Sequence, residues 1–142
     1  MIEKYKHLKI RILKETYQYV LLKQHSSLGE LNLLLLNSKK PVALFISDEE
    51  KSFIAPTDLD LHVEIDKIET GWLCFKIVGS MPFGTVQGLI ANISNTLMKD
   101  NIGVCIASTF KSDWFFIKSK YMDKSINLLT AEGWIVEQES SS

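Results

Sequence analysis

The chain has 142 residues, with 16 Lys and Arg against 17 Asp and Glu, so its formal net charge is −1. So balanced a charge excludes the basic footprint that draws nucleic acid or an anionic membrane surface. Hydrophobic residues make up 46% of it, enough for one compact core or for two units of about 70 residues that are marginal alone.

The N-terminus is charged and alternating, with Lys4, Lys6, Lys9, Arg11 and Lys14, which does not read as a signal peptide. Leu8, Ile10 and Ile12 alternate with Lys9 and Arg11 and predict a half-buried strand. Glu15-Thr16 reads as a turn and Tyr17–Gln24 as a second strand. Leu28, Leu31 and Leu35 have helical spacing up to about Asn37, and Pro41 closes that region. Val42–Ile46 and Ser52–Ala55 form a hairpin around an acidic tip. Asp58–Ile65 alternates strictly, as a strand or an extended tether. Trp72–Val78 is a strand, residues 79–85 a loop, and Val86, Leu89, Ile90, Ile93 and Leu97 one stripe of a helix with Gly88 in its first turn. Lys99 suits its last turn and Asn101 its C-cap. A second hairpin spans 103–118. Ser119 caps a helix that Gly133 stops, and Trp134–Val136 is a last strand.

The two hairpins repeat. Ser47 matches Ser108 and Phe53-Ile54 match Trp114-Phe115, an offset of 61. A repeated hairpin predicts two copies of one α+β unit, residues 1–66 and 67–142. In the second the order strand, helix, strand, strand, helix, strand predicts a four-stranded antiparallel sheet with both helices on one face.

Catalysis needs a nucleophile with its base, or paired acids in a cleft. The chain has no GxSxG, no Cys–His neighbourhood and no paired-acid motif, so it reads as no enzyme. His7, His25 and His62 are scattered without metal-ligand spacing. Cys74 and Cys105 sit in apolar strand patterns outside any CxxC and read as reduced, buried thiols of a cytoplasmic protein. The longest apolar run, Leu33–Leu36, is far too short to span a membrane. The strand Trp72–Val78 is apolar on both faces, with Trp72, Cys74 and Val78 opposite Leu73, Phe75 and Ile77. One face is left for a partner, which predicts a homodimer.

The run Trp72–Gly79, then Phe83, Gly88–Ala91, Ile106–Phe110, Ser112–Ile117 and Leu128–Gly133, resembles the ACT domain. It is most similar to the branch found in aspartokinase and in small tandem ACT proteins, and Glu15–Tyr17, Ile46–Glu49 and Ala55-Pro56 extend the likeness to the first half. The resemblance implies two tandem ferredoxin-like (βαββαβ) units and a regulatory module without a cofactor. It implies a small-molecule ligand, typically an amino acid, held between paired units, with output through a homodimer or a partner protein. Carried onto this chain, the ligand site is the loop Phe83, Gly84, Thr85, Val86, Gln87 and Gly88, closed by Cys105, Ile106, Ser108 and Thr109 of a neighbouring strand. Amides at a helix N-terminus suit a carboxylate, and glycines let backbone approach it. The loop is one residue longer than the family pattern, with Gln87 where threonine is usual. A module that keeps the fold and serves only protein association is the alternative.

Overall fold

The computed structural model describes residues 5–26, 28–80 and 88–140, and the backbone alone of Glu30. Among them run seven strands and three α-helices: β1 (Lys9–Leu22), α1 (Gly29–Leu36), β2 (Ala43–Ile46), β3 (Lys51–Pro56), β4 (Ile65–Val78), α2 (Leu89–Met98), β5 (Cys105–Ser108), β6 (Asp113–Lys118), α3 (Met122–Ala131) and β7 (Val136–Gln138). The protein is a mixed α+β molecule in which β1 with β3, β2 with β3, β4 with β6 and β5 with β6 pair antiparallel and β1 with β7 parallel.

The chain packs into two units. The larger takes in Met1–Lys14 and Trp72–Ser142, the smaller Glu15–Gly71. Both boundaries fall inside long strands, β1 and β4. The expected turn at Glu15-Thr16 does not occur: β1 is one strand of 14 residues. Its two mid-strand polar residues find partners, which is why the strand tolerates them. Lys40 Nζ lies 3.0 Å from Glu15 Oε1, and Thr16 Oγ1 donates to Thr57 Oγ1 at 3.2 Å.

In the larger unit β1 lies between β7 and β4, followed by β6 and then β5 at the edge. The last strand therefore does not pair with β4 as a simple four-stranded sheet requires. It runs parallel to β1, with Ile10 opposite Val136 and Ile12 opposite Gln138. Trp134 precedes that strand and is buried in the core, stacked on Tyr5 at 5.9 Å and donating its Nε1–H to Asn92 Oδ1 at 2.9 Å. Leu73, Phe75 and Ile77 of β4 pack with Phe115 and Ile117 of β6, with Leu89, Ile93 and Leu97 of α2, and with Leu129 of α3. Ser119 opens a short 3-10 turn ahead of α3 and makes no capping bond. On the other face of β4 Cys74 is 0% exposed and its cross-strand partner Phe116 is 3% exposed, while Trp72 and Val78 are half-buried.

The smaller unit has the order β2, β3, β1, β4. Its core gathers Val20 and Leu22 of β1, Leu31 and Leu35 of α1, and Phe53 and Ala55 of β3. Where the larger unit has α3, the chain turns at residues 57–58 and then runs through 59–64 without helix or strand, and Leu59, Leu61, Val63 and Ile65 pack against this core while Asp58, Asp60, His62 and Glu64 are exposed. Of the strand and tether readings, the tether holds through Glu64.

The hairpin repeat is real, but its register differs from the sequence match by one residue. Ser47 N–H donates to Glu50 O and Thr109 N–H to Ser112 O, both at 2.8 Å. Ser47 therefore corresponds to Thr109, and buried Phe53 and Ala55 to buried Phe115 and Ile117, an offset of 62. A slip of one residue would turn every side chain to the opposite face, so burial decides between the two offsets.

Candidate ligand-binding site

Phe83, Gly84, Thr85, Val86 and Gln87 lie outside the described residues. The two ends of their loop are described. At the entry, Gly79 has φ +132 and presses on the chain before β1: a Cβ there would stand 2.7 Å from Leu8 Cδ2 and 3.0 Å from the His7 carbonyl oxygen. A His7 ring nitrogen, Nε2, donates to the Ser80 carbonyl at 3.1 Å. Ser112 Oγ, buried in the turn before β6, donates to the Ile77 carbonyl at 2.7 Å. At the exit, Gly88 is the N-cap of α2 in the left-handed region, φ +77, and not a first-turn residue. A Cβ on it would meet Tyr5 Oη at 3.0 Å. Tyr5, His7 and Leu8 thus brace both ends of the connection. Sequence reasoning missed them because the N-terminal segment carries no motif and His7 stands alone.

Register measures this connection against its counterpart. Val20 pairs with Phe53 as Phe75 pairs with Phe115, and the buried helix residues Leu31 and Leu35 correspond to Ile93 and Leu97. Between strand and helix the larger unit therefore has seven residues more than the smaller. The extra length falls in the segment that the resemblance names as the ligand loop.

The strand side of the expected site is β5. Cys105 is half-buried, Ile106 and Ser108 are exposed, and β5 is the outer strand of its unit. Thr109 stands just beyond it, with its hydroxyl occupied. It donates to the Ser112 carbonyl at 2.9 Å and accepts from Ser112 N–H and Trp114 Nε1–H, each at 3.3 Å. β6 lies between β4 and β5 in the sheet.

Asn101, at φ +56, completes the far end of α2 two residues past the cap Lys99. The Ile102 N–H then reaches back to the Leu97 carbonyl, a Schellman-type closure. In the smaller unit a shallow open cleft is lined by Leu31, Leu34, Asp60, His62 and Val63, with His62 Nε2 3.1 Å from Asp60 Oδ2 at its exposed rim. Among the described residues no group of three or more His, Cys, Asp and Glu gathers as a metal site, and no helix is long and apolar enough to cross a membrane.

Residues 67–131, from β4 through α3, match the family model of the ACT domain. The whole chain shares its fold with solved structures. It superposes on protein Atu0741 from Agrobacterium tumefaciens with a TM-score of 0.78 at 24% identity, over 94% of this chain and 95% of that one. It superposes on the ligand-free regulatory subunit of aspartate kinase from Thermus thermophilus with a TM-score of 0.59 at 8% identity, over 89% and 98%. The aspartate kinase of Clostridium acetobutylicum, described as an allosteric enzyme, matches with a TM-score of 0.61 at 13% identity, over 86% of this chain and 33% of that one. No curated protein sequence matches the chain. The ACT-domain match thus covers residues 67–131, and the chain shares its fold with separately solved regulatory parts of aspartate kinases.

Proposed function

We propose that this chain is a regulatory protein that binds a small ligand, an amino acid, and passes the signal on through association with a second copy or a partner protein in the cytoplasm, with no catalytic step of its own. The observation that carries the reading is the ACT match over the strand–loop–helix segment, together with the start of α2. That helix begins at an exposed, left-handed glycine with no side-chain cap and no acidic residue in its first turn. Its first amides are free of a competing carboxylate and suit a ligand carboxylate. The ligand lies along Phe83–Gly88, and its amino group meets backbone oxygens at Cys105–Ser108 of a neighbouring unit.

A thermal-shift screen against the twenty amino acids tests this. A true ligand at a hundredfold excess over its dissociation constant stabilises the fold by ~2.7 kcal/mol. Gly84→Ile abolishes that gain and leaves the unliganded protein folded. A Gly84→Ile protein that stays folded and binds as tightly as the parent puts the site elsewhere. If no amino acid raises the melting temperature at millimolar concentration, the association-only module replaces the sensor.

A further inference from the structure

The two units carry the same kind of layer, and only one of them has a second helix over it. In the larger unit α3 lies beside α2, with Met122, Ile126 and Leu129 packed on the core. In the smaller unit the corresponding residues 57–64 form a strap beside α1, and a shallow cleft lined by Leu31, Leu34, Asp60, His62 and Val63 remains between the two. The strap is pinned near its ends. Thr57 N–H donates to the Thr16 carbonyl at 2.9 Å, and Lys23 N–H and Ser26 Oγ donate to the Glu64 carbonyl at 3.1 and 3.0 Å. Between these pins residues 61–63 make no backbone hydrogen bond among the described residues. α1 is apolar on more than its sheet face. It has leucine at positions 31, 33, 34, 35 and 36, and of these Leu31 and Leu35 alone are buried. A helix apolar well beyond one stripe is ordinarily covered on more than one side. Leu34, one turn on from Leu31, lines the cleft with it.

Shape and charge say what fits there. The larger unit fills the equivalent place with a helix, α3. The strap holds three exposed carboxylates, Asp58, Asp60 and Glu64, and residues 57–64 contain no lysine or arginine. We propose that the cleft between α1 and residues 59–64 docks an amphipathic helix of a partner protein, its apolar stripe on Leu31, Leu34 and Val63 and its lysine or arginine flank over Asp58, Asp60 and Glu64. The strap, bonded only near its ends, yields to admit it. The docking names the kind of partner for the reading that the protein passes its signal on by association, and rests on that reading. Its test uses no amino acid, so docking and ligand sensing fail separately.

The probe is a fluorescent helical peptide of about 14 residues, with leucines three and four apart and lysines on both flanks. It should bind the full chain saturably below roughly 100 µM, and shift the methyl resonances of Leu31, Leu34 and Val63 but not those of Leu129. The same peptide with glutamate flanks should bind roughly tenfold more weakly at low salt, the gap narrowing as salt rises. Asp58→Lys with Asp60→Lys, both at exposed positions, should leave the fold intact by circular dichroism and reverse the preference between the two peptides. Leu34→Gln should weaken both by roughly tenfold. Met98→Gln, at an exposed apolar position of α2, should change neither. The absence of saturable binding overturns the proposal, as does an unreversed preference, methyl shifts in the larger unit alone, or a folded Leu34→Gln chain that binds as tightly as the parent. Cleft methyls that shift with the chain's own concentration, without peptide, overturn it too and give the cleft to a second copy.

Discussion

The two units bury the same kind of strand–helix–hairpin layer and differ in what covers the rest of it. In the larger unit α3 lays Leu129, fully buried, over the sheet. In the smaller unit residues 59–64, outside any helix or strand, set Leu59, Leu61 and Val63 half-buried against the core. A helix brings a stripe of residues three and four apart down onto a sheet. An extended chain brings every second residue. Either pattern closes the layer, but the tether keeps its apolar residues closer to water. The smaller core is accordingly the weaker, and the unit that carries it also carries the exposed β2 edge. The family match, residues 67–131, falls mostly within the unit with α3.

Truncation on the two covers breaks or sharpens this contrast. Leu129→Ala should cost ~3 kcal/mol, as a deletion in a fully packed site does. Leu61→Ala, where partial burial leaves less to lose, should cost ~1 kcal/mol. Denaturant midpoints read both, and equal costs would mean that the tether is packed as tightly as the helix. Amide exchange should place the second loss in residues 15–71 only.

Next in size is Gly79→Ala, at the entry of the longer connection. Its backbone conformation is strained for any L side chain, and the added carbon meets Leu8 and the His7 carbonyl. A cost of ~2–3 kcal/mol is expected. Gly88→Ala, with the left-handed φ but only the Tyr5 hydroxyl close by, should cost ~1 kcal/mol. The ranking, read from melting temperatures, checks that the N-terminal segment presses on the entry harder than on the exit.

The smallest effect concerns β7, which pairs parallel with β1. Glu137 stands opposite Arg11 in the parallel pair. It accepts from Arg11 Nε at 2.8 Å and from Lys9 Nζ at 3.1 Å. The Arg11 hydrogen bond first, then that of Lys9, holds its carboxyl below its ordinary value of 4.5. A lowered folded value adds stability above the unfolded one, and this is lost as pH falls through the folded value. Glu137→Gln should therefore flatten the decline of stability below pH 4.5 and leave neutral pH nearly unchanged. A carboxyl titration by NMR that finds an unshifted Glu137 would dissolve the pair.

Much of the fold was legible in local pattern. Leu31 with Leu35, and Leu89 with Ile93 and Leu97, mark helical faces that are buried as spacing requires. The alternation from Asp58 to Ile65 is exposed and half-buried in strict turn. Gly88 was legible as lying at the start of a helix, though as a first-turn residue and not as its cap, and Cys105–Ser108 as part of a strand. The brace by Tyr5, His7 and Leu8 was not, because nothing local links residues 5–8 to 79–88.

By itself the sequence determined which residues turn inward and where strand gives way to helix, because those depend on neighbours within a few positions. Only the tertiary structure decided which strand lies beside which. It carried β1 straight through Glu15-Thr16 once Lys40 and Thr57 were there to meet them. It set β7 against β1, shifted the hairpin repeat by one residue, and buried Cys74 on the second face of β4. Strand partners are chosen across long stretches of chain, and a period of two names a face without naming a neighbour.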